Sequence, residues 1–374
     1  MFLIIKQAND KIALERLLRL VNQVVEKSLK CKKRNHPSLT LIYISSYMIS
    51  LSGISEPYDS SLKSLKDTIN TAAVTCPERF ICILRTSSPV IFGNKTLRDL
   101  QASGINAFRP YCYTKVYERD LLVNHAKFVI SYHFCFDEEI VDYGNYYGST
   151  NLTRAGLCGK NYEVFHAPDY LKTFNYRQFT RRKYHKYYIR DAYRVVNERV
   201  TLYYYPEKLK QHVDKHMSIF ESILGQISRV IKHTPIVDLY NAFIEVQRLY
   251  LEVLSFIDDL PGRQITSQII NKIESTVEVS PPNVIELEML ETTDENIIRR
   301  AIDLLKLSEG DLKEITRKYI KAVESALKIF KDTYDPKHVE KYYDDFEMIF
   351  VKRLREYSKH HRELLRNILE GSPY

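Results

Sequence analysis

Seven of the eleven glycines (Gly53, Gly93, Gly104, Gly144, Gly148, Gly156, Gly159) fall before residue 170, and Gly225, Gly262, Gly310 and Gly371 are spread over the rest. Glycine collects where strands and tight loops alternate, because it alone takes up left-handed or crowded backbone without a steric cost. A chain of 374 residues with that asymmetry is constrained to a mixed α/β front and a helical back. At roughly 100–200 residues per domain, two domains are the natural division.

The periodicity of apolar residues agrees. In 9–30 the residues Ile12, Leu14, Leu17, Leu18, Val21, Val24 and Val25 recur at helical spacing. The stretch 39–49 reads as a core strand, 61–73 as a helix, 80–84 as a strand and 95–103 as a short helix. Apolar strands at 126–136 and 140–147 are joined by the turn Asp137-Glu138-Glu139, and a last strand, 162–166, ends before Pro168. Alternation followed by a hairpin implies a mixed sheet flanked by helices. Beyond Tyr205-Pro206 the pattern is helical, with breaks at Pro235, Pro261-Gly262 and Pro281-Pro282. The longest helix, 336–369, carries Val339, Tyr343, Phe346, Phe350, Leu354, Tyr357, Leu364 and Ile368 near a heptad seam, which suits an internal bundle helix or a dimerising coiled coil.

Composition excludes several classes. With 44% hydrophobic and 27% charged residues the chain is globular. Six scattered cysteines form no CxxC pair, so neither a zinc cage nor a disulfide framework is expected, and the reading is cytoplasmic, with no metal and no cofactor. Residues 37–55 carry no charge but hold six serines and alternate like a buried strand, so no membrane association is expected. The apolar run at the N-terminus stops at Lys6, too short for a signal peptide.

The chemistry concentrates in one segment. His125 and Lys127 are two apart on a predicted strand and point to the same face, while Ala126, Phe128 and Ile130 supply core. An imidazole beside an ammonium suits a phosphate: one nucleophile or proton carrier and one fixed positive charge. The neighbouring strand ends in Gly148-Ser149-Thr150-Asn151, which offers close backbone approach and hydroxyl and amide donors. Glu163, at the start of the next strand, is placed to hold the far ring nitrogen of a histidine. Taken piece by piece, the alternative is a polar strand edge and a plain turn.

His-x-Lys, then Gly-Ser-x-Asn, Leu-Thr-x-x-Gly-Leu (152–157) and Asn-x-Glu (161–163) resembles the phospholipase D superfamily, and more narrowly its single-motif nucleases, including metal-independent restriction-type endonucleases. The likeness covers roughly residues 35–166. It implies a phospholipase D-like α/β domain with His125 catalytic, Lys127 and Asn151 on the nonbridging phosphate oxygens, Ser149 as a further contact and Glu163 orienting the histidine. The broader family has an aspartate five positions after the lysine, where this chain has Tyr132, a departure that fits the nuclease branch. Family members use two histidines. One motif per chain therefore implies a homodimer, with one His125 attacking phosphorus and its symmetry mate protonating the leaving oxygen.

Residues 171–200 hold nine Lys or Arg against two acids, interleaved with tyrosines. Arg181, Arg182, Lys183, Lys186 and Tyr184 are the candidate nucleic-acid contacts, cations for phosphates and a ring for stacking. The other reading is a solvated helix whose tyrosines pack inward. His360-His361 reads as a helix face and not a metal site.

The sequence thus divides into a phospholipase D-like nuclease domain (1–170), a basic Tyr-rich helical connector (171–206) and an all-α C-terminal domain (207–374) suited to dimerisation or a protein partner. The expected activity is metal-independent hydrolysis of nucleic acid, DNA before RNA. The alternatives are a lipid phosphodiesterase and a non-catalytic nucleic-acid-binding or scaffold protein that keeps the fold.

Overall fold

The computed structural model describes residues 4–46, 49, 51–59, 62–86, 112–115, 127–181, 183–231, 235–279, 295–304 and 308–371. The chain forms two compact units, residues 1–200 with 349–374, and residues 201–348.

The first unit is built on a mixed sheet of β1 (Ile4–Lys6), β2 (Ser38–Ser46), β3 (Phe80–Thr86), β4 (Cys112–Lys115), β5 (Lys127–Cys135), β6 (Ile140–Gly148), β7 (Glu163–His166) and β8 (Lys172–Asn175). Their spatial order is β1-β7-β6-β5-β2-β3-β4, with β8 beside the first half of β6. Strands β2, β3 and β4 are parallel, and β5 runs antiparallel to both β2 and β6. One end of the sheet therefore gathers the C-terminal ends of β2 and β6 with the N-terminal ends of β5 and β7.

Both faces of the central strands are covered, which is why they read as nearly continuous apolar runs; every residue of β2 is buried. On one face, α1 (Ile12–Lys33) packs Leu14, Leu17, Leu18 and Val21 into a core with Ile42, Ile44, Val129, Tyr146 and Phe165. The short α2 (Leu51–Ile54) and α3 (Leu65–Thr75) add Ile54, Leu65 and Ile69 to it. Ser64 starts α3 by accepting the Asp67 N–H. After β6 comes a one-turn helix, α4 (Arg154–Cys158).

The opposite face is aromatic. Phe128, Tyr132 and Phe134 on β5 and Tyr43 on β2 meet Phe179 on α5 (Tyr176–Thr180) and His185 and Tyr188 on α6 (Lys183–Tyr204). The Tyr132 hydroxyl lies 3.1 Å from His185 Nδ1, and burial pushes its phenol up. Tyr132, five positions after Lys127, is thus a core residue on the sheet face away from Lys127.

The second unit is helical: α7 (Pro206–Val230), α8 (Ile236–Asp259), α9 (Arg263–Thr276), α10 (Glu295–Leu304), α11 (Glu309–Thr333) and a 3-10 turn, Pro336–Tyr342. Proline at the first position suits the start of α7, since its missing N–H would be unpaired there anyway. Gly262, at φ 84, reverses the chain before α9, and the Glu347 carboxylate accepts the N–H groups of Gly262 (2.8 Å) and Arg263 (2.9 Å). A carboxylate there favours the positive end of the helix dipole. A capping box of Ser308 and Asp311 starts α11.

The last helix, α12 (Asp345–Glu370), lends its residues from 349 onward to the first unit. His361 Nε2 donates to the Pro77 carbonyl (2.9 Å), Lys186 to the Leu369 carbonyl (3.3 Å) and Arg362 to the Asn197 side chain (3.2 Å).

A mixed sheet flanked by helices and a largely helical back half agree with the sequence. The helix expected over 9–30 runs Ile12–Lys33, the strand over 126–136 is Lys127–Cys135, and that over 140–147 is Ile140–Gly148. The connector 171–206 is helical only after a strand, β8, whose Thr173 hydroxyl donates to Asp142 (2.6 Å). The single helix expected over 336–369 is broken, with a 3-10 turn before α12. The helix expected over 95–103 lies outside the described residues. Among the described residues, no helix is long and apolar enough to cross a membrane.

Candidate functional site

Lys127 opens β5 and pairs in register with Gly148, the last residue of β6. The turn 149–152 follows at once, and Glu163 opens β7 beside it. Four of the five residues singled out for chemistry, Lys127, Ser149, Asn151 and Glu163, therefore reach the same end of the sheet from three strand termini. His125 precedes Lys127 by two residues and lies outside the described residues, as does Arg182.

Gly148 must be glycine for a packing reason. A Cβ there would stand 2.3 Å from the Val164 carbonyl oxygen and 2.6 Å from the Phe165 Cα. The close approach of β7 lets Ser149 N donate to the Val164 carbonyl (2.9 Å) and Val164 N donate to Ser149 Oγ (3.0 Å). The Ser149 hydroxyl in turn donates to Glu163 Oε2, and Asn161 Nδ2 reaches Oε1 at 3.4 Å. Ser149 thus orients the Glu163 carboxylate, and its own proton is committed there. Glu163 is buried but keeps lone pairs for a further donor.

The residues after Ser149 hold Asn151 in place. Leu152 N donates to Ser46 Oγ at the end of β2 (3.0 Å), and Leu152 bridges Ile49. Thr153 accepts the Gly156 N–H (3.2 Å) to begin α4, while Leu152 and Leu157 are buried. A Cβ on Gly156 would lie 2.5 Å from the Asn151 carbonyl oxygen. The pattern Leu-Thr-x-x-Gly-Leu is therefore a scaffold that fixes the Asn151 backbone. Thr150 is buried beside Tyr146, whose phenol is pushed up first by burial and further by the Glu163 charge.

In the sequence Lys6 does no more than end an apolar run. In the fold it is fully buried on β1, in register with Glu163, and its ammonium donates to the carbonyls of Gly159 (2.9 Å), Asn161 (2.8 Å) and Gln7 (3.2 Å). A buried cation is tolerated only when so surrounded. It ties the loop before Glu163 to the sheet. A lone lysine after two isoleucines carries no signal of this.

The basic stretch divides by face. Arg181, Lys183, Tyr184 and Tyr187 are exposed, whereas His185, Tyr188 and Ile189 pack on the sheet. Tyr184 is 56% exposed yet keeps its ring edge-on to His185 and its hydroxyl bonded to Tyr188. Lys186 is half-buried against the end of α12. The stretch thus has a core-facing stripe and an exposed cationic, aromatic one.

No family model, curated protein or solved structure matches this chain.

Proposed function

We propose that the chain is a phosphodiesterase that cleaves nucleic acid, DNA in preference to RNA, with His125 as nucleophile in a site completed by a second copy. The observation that carries this reading is the meeting of Lys127, Gly148, Ser149 and Glu163 at one end of the sheet. The polar set of the superfamily-like motif is gathered from separate strands instead of being scattered, and the covalent chain brings His125 within two residues of it. Ligands of open α/β sheets also bind beyond the carboxyl ends of strands, as β2 and β6 offer here.

In this mechanism His125 attacks phosphorus, and the leaving oxygen takes a proton from the partner copy's His125. Glu163, aimed by Ser149, fixes the imidazole tautomer. Lys127 and Asn151 donate to the nonbridging oxygens as charge builds, which is where fixed donors lower the barrier most. Water activated by the second histidine then frees the phosphoryl group. The exposed Arg181 and Lys183 supply backbone-phosphate contacts on the same unit.

The test is incubation of wild type, His125→Ala and Lys127→Ala with single- and double-stranded DNA and RNA in excess chelator. Cleavage by wild type alone is the expected result. Binding without cleavage, unchanged by His125→Ala, would assign the non-catalytic role instead, and hydrolysis confined to liposomes the lipid one.

A further inference from the structure

The end of the sheet remote from Lys127 carries a second polar cluster that the proposed chemistry does not use. It joins the end of α1 and the loop after it to the turn between β5 and β6. Among the described residues, one ligand atom each of His36, Cys135 and Glu138 lies within 4.8 Å of the others. Cys31, in the last turns of α1, is near enough for its thiol to feel Cys135 and the Glu138 charge, although its sulfur is not one of the three atoms within 4.8 Å of one another. Both cysteines are free thiols. His36 Nδ1 is buried with no hydrogen-bond partner among the described residues, the Asp137 carboxylate standing 4.0 Å away.

The backbone is shaped around this cluster. Of the three non-glycine residues with positive φ among those described, two flank it: Asn35 (φ 56), next to His36, and Glu139 (φ 50), next to Glu138. Such strain persists where the surroundings over-determine it, commonly at functional sites. His36 N donates to the Cys31 carbonyl (2.9 Å) and Phe136 N to the Pro37 carbonyl (3.1 Å), clamping the two turns together. The Cys31 sulfur is further held by His133 Nε2 (3.3 Å), whose Nδ1 meets Thr40 Oγ1 (3.0 Å).

We infer that Cys31, His36, Cys135 and Glu138 form a structural zinc site. Thiolate, imidazole and carboxylate are all ligands that the borderline-soft Zn²⁺ ion takes in tetrahedral geometry, and four of them leave no open position for chemistry. Tetrahedral ligands at ~2.0–2.3 Å from zinc sit about 3.3–3.8 Å apart, so the His36, Cys135 and Glu138 atoms, within 4.8 Å of one another, need to close by about 1.5 Å at most, and the Cys31 sulfur must turn in from His133 to join them. Binding displaces the two thiol protons to solvent. The ion would staple the end of α1 to the β5–β6 turn. Eight residues of strand, about 27 Å at ~3.4 Å each, separate Lys127 from Cys135, so the ion takes no part in cleavage. The ligands come in two short pairs, Cys-x4-His and Cys-x2-Glu, about a hundred residues apart, which is why no CxxC pattern marks the site.

The experiment uses the full chain, reduced, stripped of metal and titrated with Co²⁺ and then Zn²⁺. The expected result is one equivalent per chain, with the thiolate charge-transfer band and strong visible bands of tetrahedral cobalt, both bleached by zinc. Cys135→Ser lowers the charge-transfer intensity, leaving only the Cys31 thiolate's share. Glu138→Gln, on an exposed turn and so compatible with folding, weakens zinc binding at least about tenfold. The inference is overturned if cobalt gives only the pale six-coordinate spectrum, if less than one equivalent of zinc stays bound through gel filtration, or if Cys135→Ser and His36→Gln both leave zinc affinity unchanged. Metal content and spectrum are read without any activity assay, so this result is independent of the nuclease reading.

Discussion

His361 offers a quantitative test of how the C-terminal helix joins the sheet unit. Its ring is 1% exposed on α12 and donates to the carbonyl of Pro77, which precedes β3. Burial pushes the ring down to about 3, with the nearby His360 lowering it further and the backbone around Pro77 partly opposing the shift. The folded state thus holds a neutral imidazole that the unfolded chain protonates near pH 6.5. Stability from this group is fully present above pH 6.5 and is lost as pH falls toward 3. Linkage between those two values gives a loss of about 2 kcal/mol from pH 7 to pH 5. The assay is urea unfolding of wild type and His361→Gln at pH 7, 6 and 5; glutamine keeps a donor for Pro77 but does not titrate. Wild-type stability minus variant stability should fall by about 2 kcal/mol over that range. A difference that stays flat with pH would mean that the ring is solvated, and would undo the packing of α12 against Pro77.

The remaining predictions concern the scaffold and the surface. Gly148→Ala forces a Cβ into the Val164 carbonyl and should cost about 2–3 kcal/mol in chemical denaturation. Gly225→Ala, in α7 with nothing within 4 Å of the added carbon, should instead stabilise by about 1 kcal/mol; equal effects would refute the close approach of β6 and β7. Lys6→Met orphans three carbonyls but removes a buried charge, a net loss of about 2 kcal/mol; an unchanged melting temperature would show that the ammonium is not held there. Replacing Arg181, Arg182 and Lys183 with alanine should flatten the salt dependence of duplex binding by about 0.9 in log–log slope for each phosphate that is no longer neutralised, and an unaltered slope would take this stripe out of the interface.

The central strands were legible because both their faces are buried, so β2, β5 and β6 read as apolar runs with turn residues between. That the candidate residues gather was legible through local spacing: Lys127, Gly148, Ser149 and Asn151 sit at or just after strand ends whose pairing follows from one short turn. What stayed hidden depends on partners distant in the chain. Lys6 needs carbonyls at 159 and 161, and His361 needs Pro77. His361 resembles a surface histidine in sequence because its helix is amphipathic, and nothing local says which surface covers it. Strand β8 was hidden in a stretch whose charge and tyrosines suggest helix, because edge pairing to β6 overrides local propensity. Tyr132 stands out in sequence only as a departure from a motif; its role in the aromatic layer with His185 follows from α6 folding back over the sheet.

The central claim is a double displacement through His125, and the configuration at phosphorus tests it most directly. A phosphorothioate substrate of one configuration, cleaved in isotopically labelled water with chelator present, should give a product with overall retention, one inversion at the histidine and a second at water. Single inversion, with water attacking the phosphodiester directly, would contradict the account.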